Sequence, residues 1–166
     1  VKSRKLAITA MFIALSFIGA NVKIMGTIAF DSMPAFLAVL LLGSDYGAAV
    51  GALGHFFTAL LSGFPLSLPV HILIMLDMAL TMVVFGSVYK RYINNNGNKI
   101  KAIIMAGIAG VIINGPGSVL LLLPFLLPMM GKSGVLVYLS VLSMTAACNI
   151  CLAYLLYKVL SKRVFC

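Results

Sequence analysis

Charge is what this sequence has least of. Only 9% of its 166 residues are Asp, Glu, Lys or Arg, against about 25% in an average soluble domain. Glutamate is absent, and the acids are three aspartates: Asp31, Asp45 and Asp77. Without Glu there is no His-Glu-x-x-His zinc helix. No Ser or Cys motif is set against either of the two histidines, His55 and His71, as nucleophilic catalysis needs. The two histidines and Asp77 have no metal-ligand spacing. An intramembrane enzyme therefore has little to rest on, and neither a metal nor a cofactor is expected. Cysteine is sparse as well. Cys148-x-x-Cys151 lies inside the last apolar run with no second pair of ligands, so it reads as small packing residues, and Cys166 carries no signal. Rings of charge or a repeated filter sequence, which an ion channel wants, do not occur. One buried Asp and no visible repeat also argue against a solitary gradient-driven carrier.

What is present is hydrocarbon. The chain is 63% hydrophobic, with a mean hydropathy of +1.17, so lipid is its solvent. Spanning helices leave no room in 17.6 kDa for an ATPase domain, so energy must come from a gradient or a partner. The net charge of +9 arises from twelve Lys and Arg that cluster at segment ends. That distribution suits anchoring to anionic lipid and not nucleic-acid binding. Val1 to Lys5 followed by an apolar run looks superficially like a signal peptide, but no cleavage site follows and the run reads as a first span.

About 20 apolar residues cross a bilayer as a helix. The pattern predicts an all-α integral membrane protein, one domain, with six transmembrane helices over residues 5–22, 30–43, 46–62, 70–90, 102–127 and 135–160. The second is short and must tilt, start early or be sheltered. Residues 90–101 read as a polar loop, and Asn114-Gly115-Pro116 as an interruption of the fifth helix. Placing both termini in the cytoplasm puts Lys2, Arg4, Lys5, Lys90, Arg91, Lys99, Lys101, Lys158, Lys162 and Arg163 inside, leaving Lys23 and Lys132 outside. A five-span reading spoils that asymmetry.

Polar residues within the spans mark function, because a carboxylate at the bilayer centre costs about 2.5–3.5 kcal/mol. Asp77 is the most expensive. Asp31 and Ser32 lie where the external loop enters the second span, and as Ser32-x-Pro34 they also suit a helix start. Gly51, His55, Thr58 and Ser62 form one stripe, and Tyr138, Thr145 and Asn149 another. His71 and Asp77 lie about 120° apart on one helix, able to line one cavity without touching. With Asn114 these residues converge on the outer half and middle of the bundle. The expected ligand is apolar in one part and hydroxylated in another. Small residues four apart permit close helix approach. In the third span Gly47, Gly51 and Gly54 read as internal packing, whereas Ala10 and Ala14 suit either internal packing or a docking face.

Over nearly its whole length the sequence resembles the substrate-capture subunits (S components) of bacterial energy-coupling factor transporters. The short six-span pattern, Ala10-x-x-x-Ala14 and the outer polar residues of the last three spans carry the resemblance. The run Asp31-Ser32-Met33-Pro34-Ala35-Phe36-Leu37, continued through Gly54-His55, Gly63-Phe64-Pro65-Leu66 and Pro69-Val70-His71, is similar to the subfamily for α-ribazole, a riboside salvaged for cobalamin. Other S components, for pantothenate or pyridoxine, share such features. The resemblance implies a multi-pass protein of the bacterial cell membrane that binds its ligand from outside. Ala10 and Ala14 would dock on a transmembrane coupling protein carried by two ATPase subunits, and the loop Asn21 to Met33 would act as a lid. It implies Asp31 and Asp77 as acceptors for ribose hydroxyls, with Ser32, His55, His71, Asn114 and Asn149 as further polar contacts. Tyr138 and the methionines would pack the heterocycle, and Lys23 would meet a ligand phosphate or serve as an interfacial anchor.

Overall fold

The computed structural model of the chain describes residues 2–21, 23–24 and 28–164. Helix α1 (Lys2–Asn21) leads into a minimal antiparallel pair, β1 (Lys23–Ile24) and β2 (Ile28–Ala29). Then follow α2 (Met33–Leu42), α3 (Ser44–Leu61), α4 (Leu68–Asn96), α5 (Lys99–Ile112), a π-helical turn (Ile113–Gly117) and α6 (Ser118–Val164). Gly131, at φ 65° and ψ 179°, divides α6 into two arms, residues 118–130 and 132–164. The fold is helical, as expected. The two-pair ladder, Lys23 with Ala29 and Ile24 with Ile28, is the addition. It satisfies backbone groups where the chain turns back from α1, as does the Phe30 N–H that donates to Gly19 O at 3.1 Å. Residues 22 and 25–27 of the expected lid, and the side chain of Lys23, lie outside the described residues.

Among the described residues three stretches are long and apolar enough to cross a membrane: Lys2–Asn21, Leu68–Asn95 and the continuous Lys99–Ser161. Two boundaries differ from expectation. Residues 90–96 are helical and belong to α4, which stops only where Gly97 takes a left-handed φ of 62° and donates its N–H to Ile93 O. Asn98 then caps α5, accepting from Ile100 N and Lys101 N at 3.0 and 3.1 Å. Polarity signalled a loop there, but long basic side chains prolong a helix into the interface without leaving it. Likewise Asn114-Gly115-Pro116 does not break the helix. Proline lacks an N–H, and the chain absorbs this by widening into one π turn and continuing.

The core is built around α2. Pro34 to Val39 are all buried, and α1, α3, α4 and α6 pack around them. Phe36 meets Phe85 of α4 edge-on, with ring centroids 5.0 Å apart. Met82, Val50, Ile103, Ala106, Ile150 and Ala153 complete that cluster. A second one, Val70, Val119, Leu122, Leu126 and Val135, ties the start of α4 to both arms of α6. Gly43, at φ 110°, lets α2 turn into α3 within one residue.

The α3 glycines pack internally, each against a different neighbour. A Cβ on Gly47 would collide with Val39 of α2, and one on Gly51 would press on Met82 of α4 at 3.3 Å. At Gly54 the added atom would stand 2.6 Å from Ser16 Cβ of α1. Ala10 and Ala14, by contrast, are exposed, alongside Leu6, Met11, Leu15 and Ile18. This chain leaves that face of α1 uncovered.

Gly54→Val is expected to destabilise the protein by about 1–3 kcal/mol, through overpacking against Ser16. Thermal unfolding in detergent measures it, with the exposed Ala14→Val as the neutral control.

Candidate substrate cavity

Ten residues of helix rise only about 15 Å, roughly half a hydrocarbon core of about 30 Å. α2 therefore fills part of its column and leaves room before its first turn. Asp31 and Ser32 stand at that point, where Ser32 O accepts the N–H groups of Ala35 and Phe36 at 3.1 Å. They line a cavity of about 150 Å³ with His55 of α3, Ile74, Asp77 and Met78 of α4, and Asn114 of the π turn. The two arms of α6 supply Ser118 and Leu122, then Tyr138, Leu142, Thr145 and Ala146.

Six of the eight residues that the sequence nominates thus share one cavity: Asp31, Ser32, His55, Asp77, Asn114 and Tyr138. The other two do not line it. His71 is buried behind His55, its Nδ1 3.1 Å from His55 Nε2. Asn149 sits one helical turn beyond Thr145, fully buried, with its Nδ2 donating to Thr145 O at 3.0 Å. The α3 stripe divides in the same way. His55 reaches the cavity, but Thr58 and Ser62 line a second hollow of about 240 Å³ with Phe17, Ala20, Asn21 and Leu61. Asp31 borders both hollows.

Ser118 is the residue that the sequence reading missed. Its hydroxyl donates to Asp77 Oδ2 and lies 3.2 Å from Ile113 O. The available signal was its position four residues after Asn114. Asn114 itself directs Nδ2 to Met78 Sδ at 3.6 Å. Glycine at 115 is required by Ser143, whose Cα lies 3.1 Å from where a Cβ would stand. That close approach holds the π turn against the second arm of α6.

The charge of the lining is one-sided. Asp31 Oδ1 accepts the Ser32 N–H at 2.9 Å and Asp77 accepts from Ser118, so each carboxylate retains acceptor capacity. Among the described residues no Lys or Arg lines the cavity. Hydroxyl or N–H donors on a small molecule match these oxygens, and Ile74, Met78, Leu122 and Leu142 supply an apolar wall. His55, Asp31 and Asp77 share the space, yet among the described residues no three metal-ligating side chains gather closely enough to hold an ion.

Ser118→Ala should cost about 1–3 kcal/mol of stability, because Asp77 is left buried without its donor. A double-mutant cycle with Asp77→Ala, which removes the acceptor, read by unfolding in detergent, should return a coupling of about 1 kcal/mol or more.

The family described as ECF transporter, substrate-specific component, matches residues 4–161. Among solved structures, one reported as the S component of a bacterial ECF transporter superposes with a TM-score of 0.65 at 17% identity, covering 99% of this chain and 96% of that one. At that identity the likeness speaks for the fold. No curated protein matches the chain. S components are membrane-embedded transporter subunits that bind small molecules and work with an energising module, and they are generally not enzymes. On the family match over almost its whole length, this chain belongs to the substrate-specific components of ECF transporters.

Proposed function

We propose that this protein captures α-ribazole from outside a bacterial cell and delivers it to a coupling complex for import. The observation that carries the proposal is the cavity before α2. Two aspartates with spare acceptor capacity, an imidazole and the Tyr138 ring face an apolar wall there. A riboside is hydroxylated at one end and aromatic at the other, which matches such a lining. In this reading Asp31 and Asp77 accept from ribose hydroxyls, Asn114 and His55 make further polar contacts, and Tyr138 packs on the heterocycle. His71 and Asn149 act from behind. The chain crosses the membrane six times with both ends in the cytoplasm.

Size favours a second reading. Drug-sized ligands occupy pockets of about 300–1,000 Å³, and the main cavity holds about 150 Å³. A nucleoside needs the hollow beyond Asp31 as well, or a shift of the segment that carries Asp31. A smaller hydroxylated vitamin such as pyridoxine fits more nearly as the cavity stands, and pantothenate does so by size alone, since its carboxylate meets two aspartates there. A thermal-shift screen of purified protein against α-ribazole, pantothenate, pyridoxine, riboflavin, thiamin and biotin separates the two readings.

The uncovered Ala10/Ala14 face of α1 supports docking on a transmembrane coupling protein that carries two ATPase subunits. Small side chains let a partner helix approach closely.

Asp77→Ala should abolish α-ribazole binding in titration calorimetry while the protein remains folded; undiminished affinity refutes the site. Ala10→Trp should bind normally but stop ATP-driven uptake in proteoliposomes reconstituted with the coupling module. Loss of binding as well would assign that face to internal packing.

A further inference from the structure

The two histidines of the chain face each other, with His55 Nε2 3.1 Å from His71 Nδ1 and ring centroids 5.3 Å apart. One proton bridges them, and its owner follows from the far side of His71. There the backbone N–H of Leu66 points at His71 Nε2 at 3.5 Å. An amide N–H can only donate, so Nε2 of His71 keeps its lone pair and the ring proton sits on Nδ1. His71 then donates to His55 Nε2, which leaves the His55 proton on Nδ1. The reverse order would set two N–H groups against each other at Leu66.

We infer that His71 is a positioning residue that fixes the tautomer of His55, so that His55 brings an N–H donor to the cavity and the captured molecule must offer an acceptor beside it. This rests on the proposal that the cavity is the capture site. The loop 62–67 holds the relay in place. Phe64 packs against the His71 ring at 5.7 Å, and its N–H donates to Ala59 O at 2.9 Å. Gly63, Phe64 and Ser67 all have positive φ, 73°, 50° and 81°, and two of these are conformations that side-chain-bearing residues rarely adopt. A loop held in that shape is specified by its surroundings, and what it presents inward is the Leu66 amide. The cavity thus has a polarity: acceptors at Asp31 and Asp77, a donor at His55. A ligand with donors alone leaves His55 unsatisfied, which is an effective means of discrimination.

With two histidines in the sequence, ¹⁵N-histidine labelling gives two ring spin systems, readable by NMR in ligand-free protein. Both rings are expected as neutral Nδ1–H tautomers; an Nε2–H tautomer at either overturns the relay. In titrations with α-ribazole, His71→Asn keeps an amide donor near the Nδ1 position and should bind within about threefold of the natural chain. His71→Gln lacks that donor and should lose about tenfold or more. His55→Asn should likewise outbind His55→Gln. Equal binding by the Asn and Gln variants at both positions overturns the inference. A natural protein that ignores α-ribazole overturns only the ligand assignment, and the ring spectra still decide the relay.

Discussion

Everything in this structure depends on the length of α2. A helix of ten residues cannot fill a column of bilayer, so what it leaves open must be lined by its neighbours. Burial of Pro34 to Val39 on all sides fixes α2 as the axis of the bundle. Its first turn becomes the floor of a polar cavity because a backbone that begins part-way across a membrane needs acceptors and donors close by. Asp31 and Ser32 are costly there and useful for the same reason.

The elements around the cavity each contribute by a local rule. The π turn lets a proline stand in the helix and brings Asn114 and Ser118 inward together. The kink at Gly131 folds the second arm of α6 back so that Tyr138 and Thr145 line the same space. The strained loop 62–67 stations His71 behind His55. The result joins two carboxylates, one imidazole and one phenol to an apolar wall, a surface suited to a molecule that is polar on one side only.

Much of this was legible in the sequence, and the gaps have physical causes. Helical periodicity and the scarcity of charge located the rods, and the insertion cost of Asp77 singled out a residue that lines the cavity. Ser118 was missed because a π turn shifts the register that an α-helical wheel assumes. His71 was assigned to the cavity because angular position on one helix does not reveal which neighbour stands in front of it. The extension of α4 to Asn96 was hidden by its basic residues, whose charge says where the membrane ends and not where the helix does. Asn149 belongs to a polar stripe, but depth along that stripe decides between lining a cavity and packing beneath it.

The three glycines of α3 have a consequence for how this sequence can drift. Gly47, Gly51 and Gly54 each admit a different helix, so no single compensating change elsewhere relieves a substitution at more than one of them. Variation at Gly51 or Gly54 must be matched in Met82 or Ser16, whereas at Gly47 the backbone of α2 itself stands close, at 3.0 Å for Val39 N and 3.1 Å for Ala35 O. α3 is therefore a keystone with three independent constraints, and its lineage is expected to change its outward residues freely while Gly51 and Gly54 move only in pairs and Gly47 stays fixed.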